Sequence, residues 1–320
     1  MNNSITQRTF AAALTLSALL FLTLSPARAQ DYSDWSAPEN LGTTINTAAL
    51  EGCPFIAKDN VTLFFASNRA GGSGANDIYA SQRESEDSPW GTPFNLGTGI
   101  NTVAGEECPT LTISGRYLYF VSNRAGGCGG SDIYVSRRVS KKNLTSWEPP
   151  QNLGCQFNSA ANDITPSLIE GEDGSVSLFF SSNRAGGLGG MDIYVSTLDG
   201  TGVFGTPVAV SELNTTFNDQ RPNVRRRDGL EIFFESDRTG TIGSTDLYSS
   251  LRATTSSAWT APENLGAVVN SILADGRPTL SWDGTELYFM STRAGGYGSN
   301  DIYVTRRSKT PDQDVCAARP

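Results

Sequence analysis

Histidine is absent from the 320-residue chain. That absence removes Ser-His-Asp and Cys-His catalysis, histidine-ligated zinc and an imidazole general base. An excess of positive charge is missing too: 24 Lys and Arg stand against 33 Asp and Glu, a formal charge of -9. Nucleic-acid affinity rests on phosphate neutralisation, so a general nucleic-acid binder is not expected. No glycine loop runs into Lys-Ser or Lys-Thr, which excludes a P-loop. After the first 29 residues no apolar run approaches the roughly 20 residues that span a bilayer. What is present is a soluble globular composition, 38% hydrophobic and 18% charged.

Residues 1–29 read as a secretory signal peptide. Arg8 supplies the positive n-region, Phe10 to Leu24 the apolar run, and Ala27-Arg28-Ala29 an A-x-A cleavage site. The expected location is periplasmic or secreted, with no transmembrane segment after cleavage. An exported chain meets an oxidising compartment, so disulfides are open to Cys53, Cys108, Cys128, Cys155 and Cys316. An odd number leaves at least one thiol unpaired within a monomer.

Self-similarity dominates the rest. Ser67-Asn68-Arg69-Ala70-Gly71-Gly72 is followed by Asp77-Ile78-Tyr79. The string recurs with Arg124 and Asp132, Arg184 and Asp192, Arg238 and Asp246, and Arg293 and Asp301, always eight residues apart. A second string precedes each copy. Trp35, Trp90, Trp147, Phe204 and Trp259 each stand three residues before a proline, usually followed by Asn-Leu-Gly. Then N-x4-[ED]-x2-P occurs five times without a gap, its acids being Glu51, Glu106, Asp163, Asp219 and Asp275.

Each unit reads as four strands. Leu118-Tyr119-Phe120 and Asp132-Ile133-Tyr134-Val135 are short, aromatic and β-branched. Asp-Gly or similar pairs precede the second strand, as at Asp228-Gly229 and Asp283-Gly284. Four short antiparallel strands per repeat of about 50 residues describe a propeller blade. Radial closure protects edges that an open sheet of so many strands would expose. The expected fold is therefore an all-β, five-bladed β-propeller over residues 35–307, with 308–320 as a loose tail. The chain starts on a Trp strand and ends on an Asp-Ile-Tyr strand, so Trp35–Leu41 should complete the last blade beside Asp301–Arg307.

The Ser-Asn-Arg-x-Gly…Asp-Ile-Tyr string resembles the WD-like repeats of TolB-type proteins. The resemblance covers nearly all of the chain after the signal peptide. It implies a propeller fold and an exported bacterial protein, more than it implies an activity.

The Arg-Ala-Gly-Gly loops and the Asn-x4-acid segments fall on one face. Two readings apply there. Glu51, Glu106, Asp163, Asp219 and Asp275 could ring the channel mouth as a binding set. Alternatively, each arginine (Arg69, Arg124, Arg184, Arg238, Arg293) forks between that acid and the later aspartate (Asp77, Asp132, Asp192, Asp246, Asp301), which also holds the loop. A group present in every blade answers a need of every blade, so the fork is the reading adopted. No metal or other cofactor is expected; calcium at the glycine loops is the exception considered. Cys128 and Cys155 lie on loops of the same face and are expected to pair. Cys53 and Cys108, on neighbouring inner strands that splay, are a weaker pair. Arg221, Arg225, Arg226 and Arg227 make the fourth unit locally basic and read as a solvated edge.

The function read from these features is a non-catalytic envelope scaffold, not an enzyme, with a cell-envelope protein, peptidoglycan or glycan as partner. The alternative is a glycoside hydrolase using carboxylates at the channel mouth. That alternative needs acids outside the repeated set, and the sequence alone places none there.

Overall fold

A computed structural model describes residues 32–140, 143–171 and 173–310. The signal peptide read over 1–29 lies outside the described residues, as does most of the tail. Twenty strands form five four-stranded antiparallel sheets. The only helix among the described residues is one turn, Gly266–Val269. No helix among them is long and apolar enough to cross a membrane. This is the five-bladed propeller the repeats predict.

In blade 1 the strands are Glu51–Ile56, Thr62–Ser67, Asp77–Gln82 and Phe94–Asn95, from the axis outwards. Blades 2, 3 and 4 repeat that order. Blade 5 takes its outer strand from the other end of the chain: Glu39 pairs with Val304 and Asn40 with Tyr303. Backbone bonds from Ser36 to Arg306 and from Leu41 to Ile302 extend the seam. The ring closes by hydrogen bonds between the chain's two ends, as the strand count requires.

The core lies between blades, because each sheet buries both faces against its neighbours. Phe55, Phe64 and Ile78 of blade 1 pack with Leu111, Leu118 and Phe120 of blade 2. The string aromatics sit at the rim and carry arginines on their faces. Arg83 lies over Trp90, Arg138 over Trp147, Arg252 over Trp259 and Arg307 over Trp35. Such stacking anchors the outer strand by cation–π attraction. Blade 3 has Leu198 and Phe204 instead.

Every inner strand carries a β-bulge at one place. The residue before the repeated proline has positive φ: Cys53 48°, Cys108 50°, Thr165 53°, Arg221 58° and Arg277 54°. A left-handed non-glycine residue is unfavourable, so five in register mark a designed bend. The bend turns these five side chains inwards, where they meet at the axis.

Candidate active site at the propeller axis

The five repeated acids do not face a ligand. Glu51, Glu106, Asp163, Asp219 and Asp275 are all 0% exposed. Glu51 accepts from the Thr47 amide and hydroxyl, the Ser67 hydroxyl and Arg69. The ion pairs recur as Arg69–Glu51 (3.1 Å), Arg124–Glu106 (3.1 Å), Arg184–Asp163 (2.5 Å), Arg238–Asp219 and Arg293–Asp275 (2.6 Å). Each arginine also donates to a backbone carbonyl, as Arg69 does to Ile45. It stacks over two rings of its blade, Phe65 and Tyr79 in the first. With their lone pairs satisfied and no exposed surface, the acids are not an open binding ring.

The fork needs a correction as well. No arginine reaches the second aspartate. Asp77 accepts from the Ser73 and Gly74 amides and from Asn95, and its counterparts accept from the amides of their own loops. The Ser-Asn-Arg turn carries the guanidinium back towards the inner strand, away from Asp77. Asp132, Asp246 and Asp301 each hold the asparagine of Asn-Leu-Gly: Asn152, Asn264 and Asn40. In blade 3 Ala209 stands there, and Asp192 lacks that donor. Burial raises the Asp192 carboxyl above its usual range, with Asp219 adding to the rise against the Gly189 and Leu188 amides. Gly74 is required where the loop presses on the next blade, since a Cβ there would strike the Ala104 carbonyl.

Both cysteine pairs are bridged. Cys128 joins Cys155 with Cα atoms 5.4 Å apart. Cys53 joins Cys108 at 4.6 Å. Inner strands do splay, but the bulge brings these two positions back together at the axis, where the spread is smallest.

Around that second bridge the blades stop being alike. Arg277 reaches Cys53 Sγ at 3.3 Å and Glu107 at 3.5 Å, and its amide donates to Glu235 at 2.8 Å. Arg221 pairs with Glu235. Asn76 donates to Glu107. The Thr165 hydroxyl lies 3.6 Å from Cys108 Sγ. Burial, with Arg221 as a like-charged neighbour, pushes the Arg277 guanidinium down to about 10 against the pull of Glu107 and Glu235. The Nε atoms of Arg221 and Arg277 are buried without partners.

Glu107 and Glu235 are single-copy acids. At the Glu107 position the other blades carry Gly52, Ile164, Gln220 and Gly276. At the Glu235 position they carry Ala66, Val121, Ser181 and Met290. The two glycines make room: a Cβ on Gly276 would collide with the Glu235 carboxylate, and one on Gly52 would stand 3.2 Å from Arg277. Glu107 is 30% exposed and Glu235 3%. Below them the channel narrows to a void of about 20 Å³ between the repeated prolines, which plug it. A cleft of about 1170 Å³ lies elsewhere, at the closure seam beside Trp35 and Trp90. Two of the acids lining it are paired: Glu286 meets Arg83 and Arg306, and Glu39 meets Arg306.

Sequence reasoning missed Glu107 and Glu235. Aligning the five copies shows both as departures. Only the bulge reveals that they converge on the axis. The arginine run also departs from expectation. Arg225 and Arg226 are buried; Arg225 pairs with Asp228 and Glu231, and Arg227 alone is exposed.

No family model matches the chain, and no curated protein matches it. Solved structures do. An α-L-arabinofuranosidase catalytic domain from Coprinopsis cinerea aligns at TM-score 0.56 and 13% identity, over 86% of this chain and 96% of that one. An α-L-arabinofuranosidase from Lactobacillus brevis gives 0.55 at 14%, over 82% and 92%. An endo-arabinase from Bacteroides thetaiotaomicron gives 0.54 at 17%, over 85% and 99%. A putative TolB from Agrobacterium tumefaciens aligns at 0.49, too low to argue from, so the TolB-type resemblance stands as a propeller fold. At these identities the likeness shows the fold. The reading of a non-catalytic scaffold that is not an enzyme is corrected by them: the solved structures this fold resembles are enzymes by name, two arabinofuranosidases and an endo-arabinase.

Proposed function

We propose that the chain is an exported glycoside hydrolase acting on a plant-type pentose polymer, an arabinan or xylan, at its axial mouth. One observation carries this reading. Glu107 and Glu235, the acids that no repeat requires, meet on Arg277 above the channel plug. Glycosidases of most families use two carboxylates flanking the scissile bond. Glu107, the more exposed, is the group that meets substrate. Glu235, held by Arg221 and the Arg277 amide, is its partner across the mouth. Two disulfides suit an exported chain, and the TolB-type strings point to the same compartment.

The test is release of reducing sugar from arabinan, arabinoxylan and xylan, with Glu107→Gln and Glu235→Gln alongside. Positioned acid–base catalysis is worth about 10²–10⁴ in rate, and each variant should lose that much. A wild-type chain that releases nothing from all three polymers would contradict the proposal. So would a Glu107→Gln protein of undiminished rate.

A further inference from the structure

On the face opposite the axial mouth, blades 1 and 2 enclose a cavity of about 460 Å³. Two arginines line it, and neither has a carboxylate partner among the described residues. Arg226 comes from the blade 4 hairpin and crosses the axis. It donates once, to the Ile56 carbonyl of blade 1 at 2.6 Å, and lies over the Phe55 ring. It is 5% exposed. Among the described residues its guanidinium makes no other hydrogen bond. Burial pushes its pKa down to about 10, against Glu170 and Asp59.

Arg138 is the second. It belongs to the repeated set that stacks on the rim aromatics. In three other blades the same arginine gives its Nε to the carbonyl of its hairpin: Arg83 to Asn60, Arg252 to Gly229 and Arg307 to Gly284. In blade 2 that bond is missing, and the Arg138 Nε is buried with no partner. Burial also lowers its pKa, against Asp59.

The other charged groups facing the cavity are committed. Asp59 accepts from the Val61 and Thr62 amides and the Thr62 hydroxyl. Lys58 lies over the Trp282 ring. Opposite the arginines, Ala57, Ile113 and Leu144 offer a half-buried apolar wall. A buried and a half-buried guanidinium with no ion-pair partner among the described residues are costly unless an anion completes them.

We propose that this cavity binds a small organic anion: one carboxylate, sulfate or phosphate group held between Arg138 and Arg226, on a short apolar body covered by Ala57, Ile113 and Leu144. Charge-assisted bonds to both guanidinium groups give the recognition. The site is separate from the carboxylate pair at the axis and does not depend on any hydrolase activity.

Isothermal titration of the full chain with hexanoate, hexyl sulfate, hexan-1-ol and inorganic phosphate tests it. Hexanoate or hexyl sulfate should bind saturably, and hexan-1-ol and inorganic phosphate at least about tenfold more weakly. Arg138→Met should weaken the organic anion by at least about tenfold and Arg138→Lys by less. Arg138 is the variant of choice because Arg226→Met also removes a bond across the axis. Absence of saturable binding overturns the proposal, as does an Arg138→Met protein of unchanged affinity. Equal binding of hexan-1-ol overturns the charge recognition, and equal binding of inorganic phosphate overturns the apolar half.

Discussion

Two rings encircle the axis on one face, a few residues apart, and they obey opposite rules. In the first, every blade supplies the same partners: an acid, a serine and an arginine stacked on two rings, as Glu51, Ser67 and Arg69 do. In the second, the five positions are Cys53, Cys108, Thr165, Arg221 and Arg277: a bridged pair, a hydroxyl and two guanidinium groups. The first ring is buried and satisfied. The second joins single-copy acids and leaves guanidinium nitrogens unpartnered. Repetition marks what each blade needs to fold; departure from it marks what the molecule needs once.

The sharpest ways to break that comparison act on the repeated architecture. Deleting residues 33–41 removes the outer strand of blade 5 and opens the ring. The cooperative calorimetric transition should be lost. A melting temperature within about 2 °C of the parent would contradict closure as the source of stability.

Arg184→Met comes next. Asp163 would remain buried with no cation, and breaking such a pair costs about 3–5 kcal/mol. Urea denaturation checks it, and a loss below about 1 kcal/mol would move this arginine to the class of exposed pairs. Replacing Cys128 and Cys155 by serine opens a loop closed by a bridge of sequence separation 27. The expected loss is about 3 kcal/mol by the same measurement.

The smallest effect repairs the repeat instead of breaking it. Ala209→Asn would return to Asp192 the donor that Asp132, Asp246 and Asp301 have. A gain of about 1 kcal/mol at neutral pH is expected. Because the Asp192 carboxyl is raised in the folded chain, its contribution is full below the unfolded value of about 3.9 and is lost as pH rises through the folded one. The asparagine should shrink that loss. A stability-versus-pH curve identical to the parent's would show that the donor has no role.

Most of the blade was legible because it is written five times. The eight-residue Arg-to-Asp spacing, the prolines and the terminal Trp and Asp-Ile-Tyr strings gave strand order and closure without any contact information. Which acid each arginine takes was not legible, because the choice depends on how the turn after Ser67 directs Arg69. Glu107 and Glu235 were visible as oddities in an alignment of the copies, yet nothing in their strands says that a left-handed residue, Cys108 next to Glu107 and Arg221 on the strand paired with Glu235, turns the wall towards the axis. The Arg226 side chain spans from blade 4 to blade 1, residues 170 apart from Ile56, and no local pattern encodes such a reach.

Glu107→Gln, measured for stability and for hydrolysis on the same preparation, tests the division of labour most directly. Glu107 is partly exposed and 3.5 Å from Arg277, so its loss should cost less than about 1 kcal/mol in urea denaturation. Release of sugar from the best pentose polymer should fall by about 10²–10⁴. A variant that unfolds easily while keeping its specific activity would contradict the assignment of fold to the repeated ring and of chemistry to the axis.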